Sequence, residues 1–300
     1  MSDINSLKEL DEVEKLKLAW NRHTHEFLAT NYRSGSLDPL ANPQFFFTRK
    51  IILEYIDKKN PNLALKKEQK IIQPLSLGYF KTILSAKRKK GVFLRTLFGS
   101  LLRVAGDFRW QRVKGKTVYK ASLLDIGCGS GNYYESFKLA GLHHFLEYKG
   151  VDIAEKNIEN CRKLYPGIAF EVGNATRLTE ADNAFDVVMA NQLFEHLPPD
   201  MLTRALTEAL RVTKELLIIN FFCEKDIPNH HIIPKDGLYY WNCLSRKKIK
   251  EILAIGDRSI TIVTDYAPIC DTGTVQSWYL NRYPVSYSTW IISKTVDEGQ

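Results

Sequence analysis

One stretch limits the fold more than any other: Leu123-Leu124-Asp125-Ile126-Gly127-Cys128-Gly129-Ser130-Gly131-Asn132-Tyr133. An apolar run suited to a buried strand meets three glycines at alternate positions, and a helical pattern follows directly. Strand, glycine turn and helix in that order open a β-α-β unit. Glycines there remove the Cβ atoms that would keep a ligand away from the backbone, and they tolerate the positive φ of a tight turn. A ligand-free glycine turn is the plain alternative.

The rest of the chain after Ala121 repeats the alternation. Strands are expected at 122–126, 149–153, 168–172, 185–190 and 215–222, with late strands at 259–265 and 288–293. Helices are expected at 133–140, 155–164, 200–212 and 245–253. Short links between alternating elements predict an α/β fold with a Rossmann-like, doubly wound, mostly parallel seven-stranded sheet. Ligands bind such sheets at the carboxyl ends of the strands.

Before Ala121 the pattern is helical. Leu7, Leu10, Val13, Leu16, Trp20 and Phe27 recur at helical spacing, so residues 6–30 read as an amphipathic helix. A second helix is expected at 45–57 and broken helical pieces at 75–112. The expected division is a helical, basic N-terminal extension over 1–120, serving as a substrate cap or a surface attachment, and a catalytic domain over 121–300.

Charge sharpens that division. Residues 61–120 hold 15 Lys and Arg against Glu68 and Asp107, a net +13 in a chain whose total is +8. Lys87-Arg88-Lys89-Lys90 runs into Val92, Phe93, Leu94, Leu97, Phe98, Leu101 and Leu102. Three readings fit the 81–112 segment: a core-facing helix with solvated cations, a peripheral contact with anionic membrane, or a nucleic-acid surface. No 18-residue apolar run and no signal-like N-terminus is seen, so a cytoplasmic chain is expected. Five scattered cysteines without a C-x-x-C pair suit reduced thiols. The pairs His143-His144 and His230-His231 lack partnering carboxylate or cysteine patterns, so no metal is expected.

The glycine spacing disfavours a dinucleotide site. A G-x-G-x-x-G fingerprint needs its third glycine where Asn132 stands. Asp125, two residues before Gly127, would repel a pyrophosphate at the helix N-terminus and suits a ligand carrying an amino group. Asp152 ends the second strand, where a carboxylate can accept from two ribose hydroxyls or cap the helix that follows.

At these residues the chain resembles the class I S-adenosylmethionine-dependent methyltransferases, in particular the type 11-like small-molecule group, over about residues 121–295. The resemblance implies that Asp125, Gly127, Gly129 and Gly131 cradle the methionine and ribose parts of S-adenosyl-L-methionine and that Asp152 takes the ribose. The family usually has an acid and then a small residue after the third strand, near adenine. Here Asn174 replaces the acid and Ala175 follows, which weakens that contact. Asn191 and Gln192 end the fourth strand and are expected at the methionine end or the substrate mouth. Glu195-His196 follows, and two roles are open to His196: catalytic base or positioning residue. The loop after the fifth strand, with Tyr239-Tyr240-Trp241-Asn242, is expected to cover a small polar substrate, a saccharide or a lipid-linked metabolite. An RNA methyltransferase using the basic 61–120 segment is the alternative. Neither the acceptor atom nor the oligomeric state is legible.

Overall fold

The computed structural model describes residues 10–29, 43–63, 111, 113–253, 258–265 and 287–294. The helical pieces expected at 75–112 lie outside the described residues except at 111. So does the Lys87–Lys90 run. The described residues belong to two compact units, one built from residues 1–32, 122–131 and 148–300, the other from 33–121 and 132–147.

The first unit holds the sheet. Its strands are β1 (Ala121–Ile126), β2 (Leu146–Asp152), β3 (Ala169–Val172), β4 (Phe185–Asn191), β5 (Thr213–Phe221), β6 (Arg258–Asp265) and β7 (Tyr287–Lys294). Their spatial order is β6-β7-β5-β4-β1-β2-β3. β1 with β4, β4 with β5 and β2 with β3 are parallel, whereas β7 runs antiparallel to both β5 and β6. The seven-stranded, mostly parallel sheet expected from the alternation is present. Leu123, Leu124, Val187 to Ala190 and Leu217 to Ile219 are all fully buried. Strands covered on both faces need such unbroken apolar runs.

The helices of this unit are α1 (Glu12–Ala29), α4 (Glu155–Leu164), α5 (Pro199–Val212) and α6 (Arg246–Leu253). α5 begins on Pro199, whose fixed φ suits a first helical turn. It buries Met201, Leu202, Ala205, Leu206, Ala209 and Leu210, one face at three- and four-residue spacing. Truncating Leu206 to Ala there would cost about 2–5 kcal/mol. The segment between β5 and α6 adds two short pairings that periodicity does not reveal: 224–225 with 244–245, and 234–235 with 239–240.

The second unit contains α2 (Pro43–Lys59) and α3 (Asn132–Leu139). Phe45 of α2 stacks on Tyr133 of α3 at 4.2 Å, and the buried Arg49 donates to Ser136 at 2.5 Å. α2 ends where Asn60 donates its side-chain amide to the Ile56 carbonyl and Pro61 bars a further turn. The same Asn60 oxygen accepts the Tyr119 N–H at 2.8 Å.

Candidate active site

The carboxyl ends of β1, β2, β4 and β5 bring polar residues together at one edge of the sheet. After β1 the chain enters the glycine loop with φ of 72° at Gly127, 54° at Gly129 and 79° at Gly131. Two of these glycines serve different ends. A Cβ on Gly131 would stand 2.8 Å from the Tyr165 ring, so that position is kept bare by packing. Among the described residues a Cβ on Gly129 would meet no atom within 4 Å, so packing does not require that position to be bare.

Asp152 holds the loop in shape. It is 8% exposed, and its Oδ2 accepts the Gly129 N–H at 2.8 Å. Its Oδ1 accepts the Ala154 N–H at 2.8 Å and the Asn157 amide at 3.2 Å. Burial raises its pKa, opposed by those donors. Three acceptor directions are used, and a carboxylate has about four. The N-cap of α4 is Ala154, which makes no side-chain cap bond. Asp152 therefore acts two residues upstream of the cap, joining loop and helix entry rather than capping alone.

Asp125 is 1% exposed. Tyr148 donates its hydroxyl to Oδ2 at 2.6 Å, and Asn191 donates its amide to Oδ1 at 3.4 Å. Burial pushes the carboxyl up to about 7, with Tyr148 and Asn191 pulling it down and Asp152 adding to the rise. Asn191 in turn accepts from Asn220, and Asn220 accepts from the Thr289 hydroxyl at 2.6 Å. The next residue, Gln192, has φ of 52°. A non-glycine residue held there at a strand end is a common mark of a site.

Asn174 and Ala175 follow β3 in a tight turn. The Asn174 side-chain oxygen accepts both the Thr176 N–H and its hydroxyl at 2.9 Å. The oxygen that an adenine amine would call on thus already has two donors. Ala175 packs against the main core.

Glu195 and His196 sit in a single 3-10 turn after β4. Glu195 points inward and is fully buried. Its Oε1 accepts the N–H groups of Phe222 at 2.6 Å and Cys223 at 3.1 Å. Burial raises its pKa to about 8 against those two donors. His196 is half-buried, with the Trp20, Phe222 and Tyr239 rings at 4.9, 5.2 and 6.2 Å. Its Nδ1 lies 2.9 Å from the Tyr240 carbonyl. A carbonyl only accepts, so Nδ1 carries the proton and the neutral ring has its lone pair on Nε2.

The segment 222–244 is fastened to that turn. Asn242, fully buried, donates its side-chain amide to the Leu197 carbonyl at 2.8 Å and its backbone N–H to the Glu195 backbone carbonyl at 2.8 Å. Cys223 and Cys243 pack together beside Phe222, Ile227 and Trp241. His230 Nδ1 accepts the Ser245 N–H at 2.9 Å. Among the described residues no three His, Cys, Asp or Glu side chains are grouped to hold a metal, and no helix is long and apolar enough to cross a membrane.

The structure thus brings Asp125, Gly127, Gly129, Gly131, Asp152 and Asn191 to one edge of the sheet, with Asn174 and Ala175 in the turn after β3 and His196 in the turn after β4. Sequence reasoning missed Tyr148, Asn157, Asn220 and Thr289. A lone asparagine at the end of the apolar run Leu216 to Ile219 was a signal for Asn220. Nothing in sequence marked Thr289.

Fold and site together define a doubly wound domain whose glycine loop is backed by two buried aspartates. A family model described as a methyltransferase domain matches residues 124–217. The chain is 31% identical over 124 residues to an uncharacterized methyltransferase of Mycobacterium leprae, covering 41% of this chain and 44% of that protein. It is 32% identical over 130 residues to a probable methyltransferase of Aspergillus luteorubrus, covering 40% and 44%. The match therefore spans less than half the length of these relatives. A solved S-adenosylmethionine-dependent methyltransferase of Methanosarcina mazei is 19% identical, covers 62% of this chain and 97% of its own, and gives a TM-score of 0.45. Residues 124–217 are thus similar to a methyltransferase domain.

Proposed function

We propose that this chain transfers a methyl group from S-adenosyl-L-methionine to a small molecule. The observation that carries the reading is the loop geometry. Gly129, whose N–H is held by Asp152, presents a face open among the described residues, in a positive-φ loop that follows the buried Asp125. That donor and acceptor set fits the cofactor: a carboxylate for its ammonium group, a carboxylate at the ribose position, and bare backbone between them. Asp125, Gly127, Gly129, Gly131, Asp152 and Asn191 would hold it, with Ala175 and the Asn174 turn toward adenine. When bound, the cofactor supplies a methyl group already activated on a sulfonium. The protein's task is then orientation, which can lower a barrier by about 7–11 kcal/mol in favourable cases.

His196 is the proposed base. Its Nε2 lone pair, fixed by the Tyr240 carbonyl, would take the proton of a hydroxyl or amine acceptor. Trp20, Phe222 and Tyr239 give that acceptor flat apolar walls, which suit the faces of a sugar ring or another small ring. A saccharide or a lipid-linked metabolite is the substrate class proposed. Isothermal titration should show S-adenosylhomocysteine binding in the micromolar range or tighter, about −8 kcal/mol. NAD binding at that strength with no S-adenosylhomocysteine binding would sink the reading.

The basic 61–120 segment adds a second element to the proposal. Phosphate binding needs Lys87, Arg88, Lys89 and Lys90 but not the seven large apolar residues that follow, whereas a membrane interface uses both. Each cation near an anionic membrane contributes about 1 kcal/mol. Co-sedimentation with anionic but not neutral vesicles, weakened by charge reversal at 87–90, is expected. Far tighter binding to RNA at the same salt would instead favour an RNA methyltransferase.

A further inference from the structure

A row of side chains crosses the sheet toward Asp125, and all of its donors point one way. On β7 the Thr289 hydroxyl donates to Asn220 Oδ1 at 2.6 Å. On β5 the Asn220 amide donates to Asn191 Oδ1. On β4 the Asn191 amide donates to Asp125 Oδ1 at 3.4 Å. The register places Thr289 opposite Asn220 and Asn220 opposite Asn191. Thr289, Asn220 and Asp125 are 3%, 1% and 1% exposed. These three polar side chains are thus buried within the sheet, where an unsatisfied polar group is costly. Core packing does not require them.

We propose that Asn220 and Thr289, two and three strands away from the glycine loop, are positioning residues that act through Asn191 to keep Asp125 an acceptor for the cofactor's ammonium group. The proposal rests on the reading that S-adenosylmethionine is the ligand. Its logic is polarity. An amide offers an oxygen on one side and an NH2 on the other. With Thr289 donating to the Asn220 oxygen, the Asn220 NH2 must face Asn191. Asn191 then offers its oxygen to that NH2 and turns its own NH2 toward Asp125. Loss of the Thr289 donor removes a bond that favours this orientation, and if the two amides turned over, Asn191 would present an oxygen that only a protonated Asp125 can meet. A neutral Asp125 has no charge to offer an ammonium group.

The other groups facing Asp125 fit that role. Tyr148 on β2 donates at 2.6 Å and is raised well above the usual tyrosine range by burial, so it stays a donor. The Cys128 thiol in the loop is raised well above its usual range by burial, so it stays neutral. Asp152 pushes the Asp125 carboxyl up. Against that push and against burial, the row from Thr289 supplies an opposing donor.

The test uses the full chain in two arms. Carboxyl NMR of the ligand-free protein follows the Asp125 titration, and calorimetry from about pH 5.5 to 8.5 follows S-adenosylhomocysteine and methylthioadenosine. The second probe lacks the amino-acid part. Thr289→Val should raise the Asp125 midpoint by at least half a pH unit, and Thr289→Ser should restore it. Below the midpoint, S-adenosylhomocysteine affinity should fall about tenfold per pH unit, and Thr289→Val should move that curve to higher pH. Methylthioadenosine affinity should be the same in both proteins. An unchanged midpoint, or equal losses for both probes, would overturn the relay. A wild type that binds neither probe would overturn the cofactor reading instead, and the ligand-free titration would still judge the relay.

Discussion

The glycine loop is held by groups one β-α unit away in the chain, whereas the turn carrying Glu195 and His196 is held by groups much farther along it. Asp152 fastens Gly129 across 23 residues and Ala154 across two. Glu195 reaches Phe222 and Cys223, His196 reaches Tyr240, and Leu197 reaches Asn242, over 27 to 45 residues. The first wall, the loop after β1, is tied by groups close in the chain, although Asp125 just before it is also reached from β4. The second exists only when the segment 222–244 is docked. A loop built locally and a turn built by a distant segment can vary independently, and under the proposed function these would be the cofactor side and the substrate side.

The largest expected effect falls on the second wall. His196→Asn keeps a donor near the Tyr240 carbonyl and removes the lone pair at Nε2. If His196 is the base, kcat should fall about a hundredfold or more while S-adenosylhomocysteine affinity stays within about twofold. A variant with wild-type kcat would leave His196 a positioning residue. On the first wall, Asp152→Ala strips acceptors from two backbone N–H groups. Chemical denaturation should show a loss of about 2–4 kcal/mol, because buried donors are left unmet. Cofactor affinity should drop with it, so Asp152→Asn, which retains one acceptor oxygen, is the better test of a ribose contact. Little or no destabilisation by Asp152→Ala would mean the loop keeps its shape without that carboxylate.

Glu195 gives the second wall a pH dependence of its own. Burial raises its folded pKa from 4.5 to about 8. The folded chain therefore keeps this proton to higher pH than the unfolded chain. Its contribution to stability is full below about 4.5 and drains as pH rises through about 8. Within that window the slope is up to about 1.4 kcal/mol per pH unit. Glu195→Gln keeps an oxygen for Phe222 and Cys223 but does not titrate, so its stability should decline less between pH 5 and 8. Asp125 has the same sign, with a folded value near 7, and it remains in the variant. The difference between the two proteins thus isolates Glu195. Parallel pH profiles would show that Glu195 titrates normally.

The same contrast explains what was legible in the sequence. Strand alternation and the D-x-G-x-G-x-G spacing are local signals, and they place β1 to β5, the loop and Asp152 within about three residues of their observed positions. The row Thr289-Asn220-Asn191 depends on β7 inserting beside β5, a pairing between residues 69 apart that no periodicity encodes. Asn242 was visible as part of a polar and aromatic loop, yet its burial against Leu197 depends on how that loop folds back. Asn174 illustrates the reverse. Its place after β3 was legible, but the two bonds from Thr176 follow from turn chemistry that a family pattern does not specify.

The smallest expected effect lies inside the loop itself and tests whether its two kinds of glycine are distinct. Gly131→Ala forces a methyl group to 2.8 Å from the Tyr165 ring at φ of 79°. Either the ring or the loop must move, at a cost of about 1–3 kcal/mol. Gly129→Ala meets open space, so only the φ of 54° opposes it, at about 1 kcal/mol. Ligand affinity should rank the other way. The added methyl on Gly129 enters the volume assigned to the cofactor, whereas the one on Gly131 points at protein. Thermal melts and S-adenosylhomocysteine titrations on the two variants should therefore cross: Gly131→Ala less stable, Gly129→Ala weaker in binding. If Gly129→Ala binds as tightly as wild type, the open face of Gly129 is not where the ligand lies, and the cofactor wall must be sought elsewhere along the strand ends.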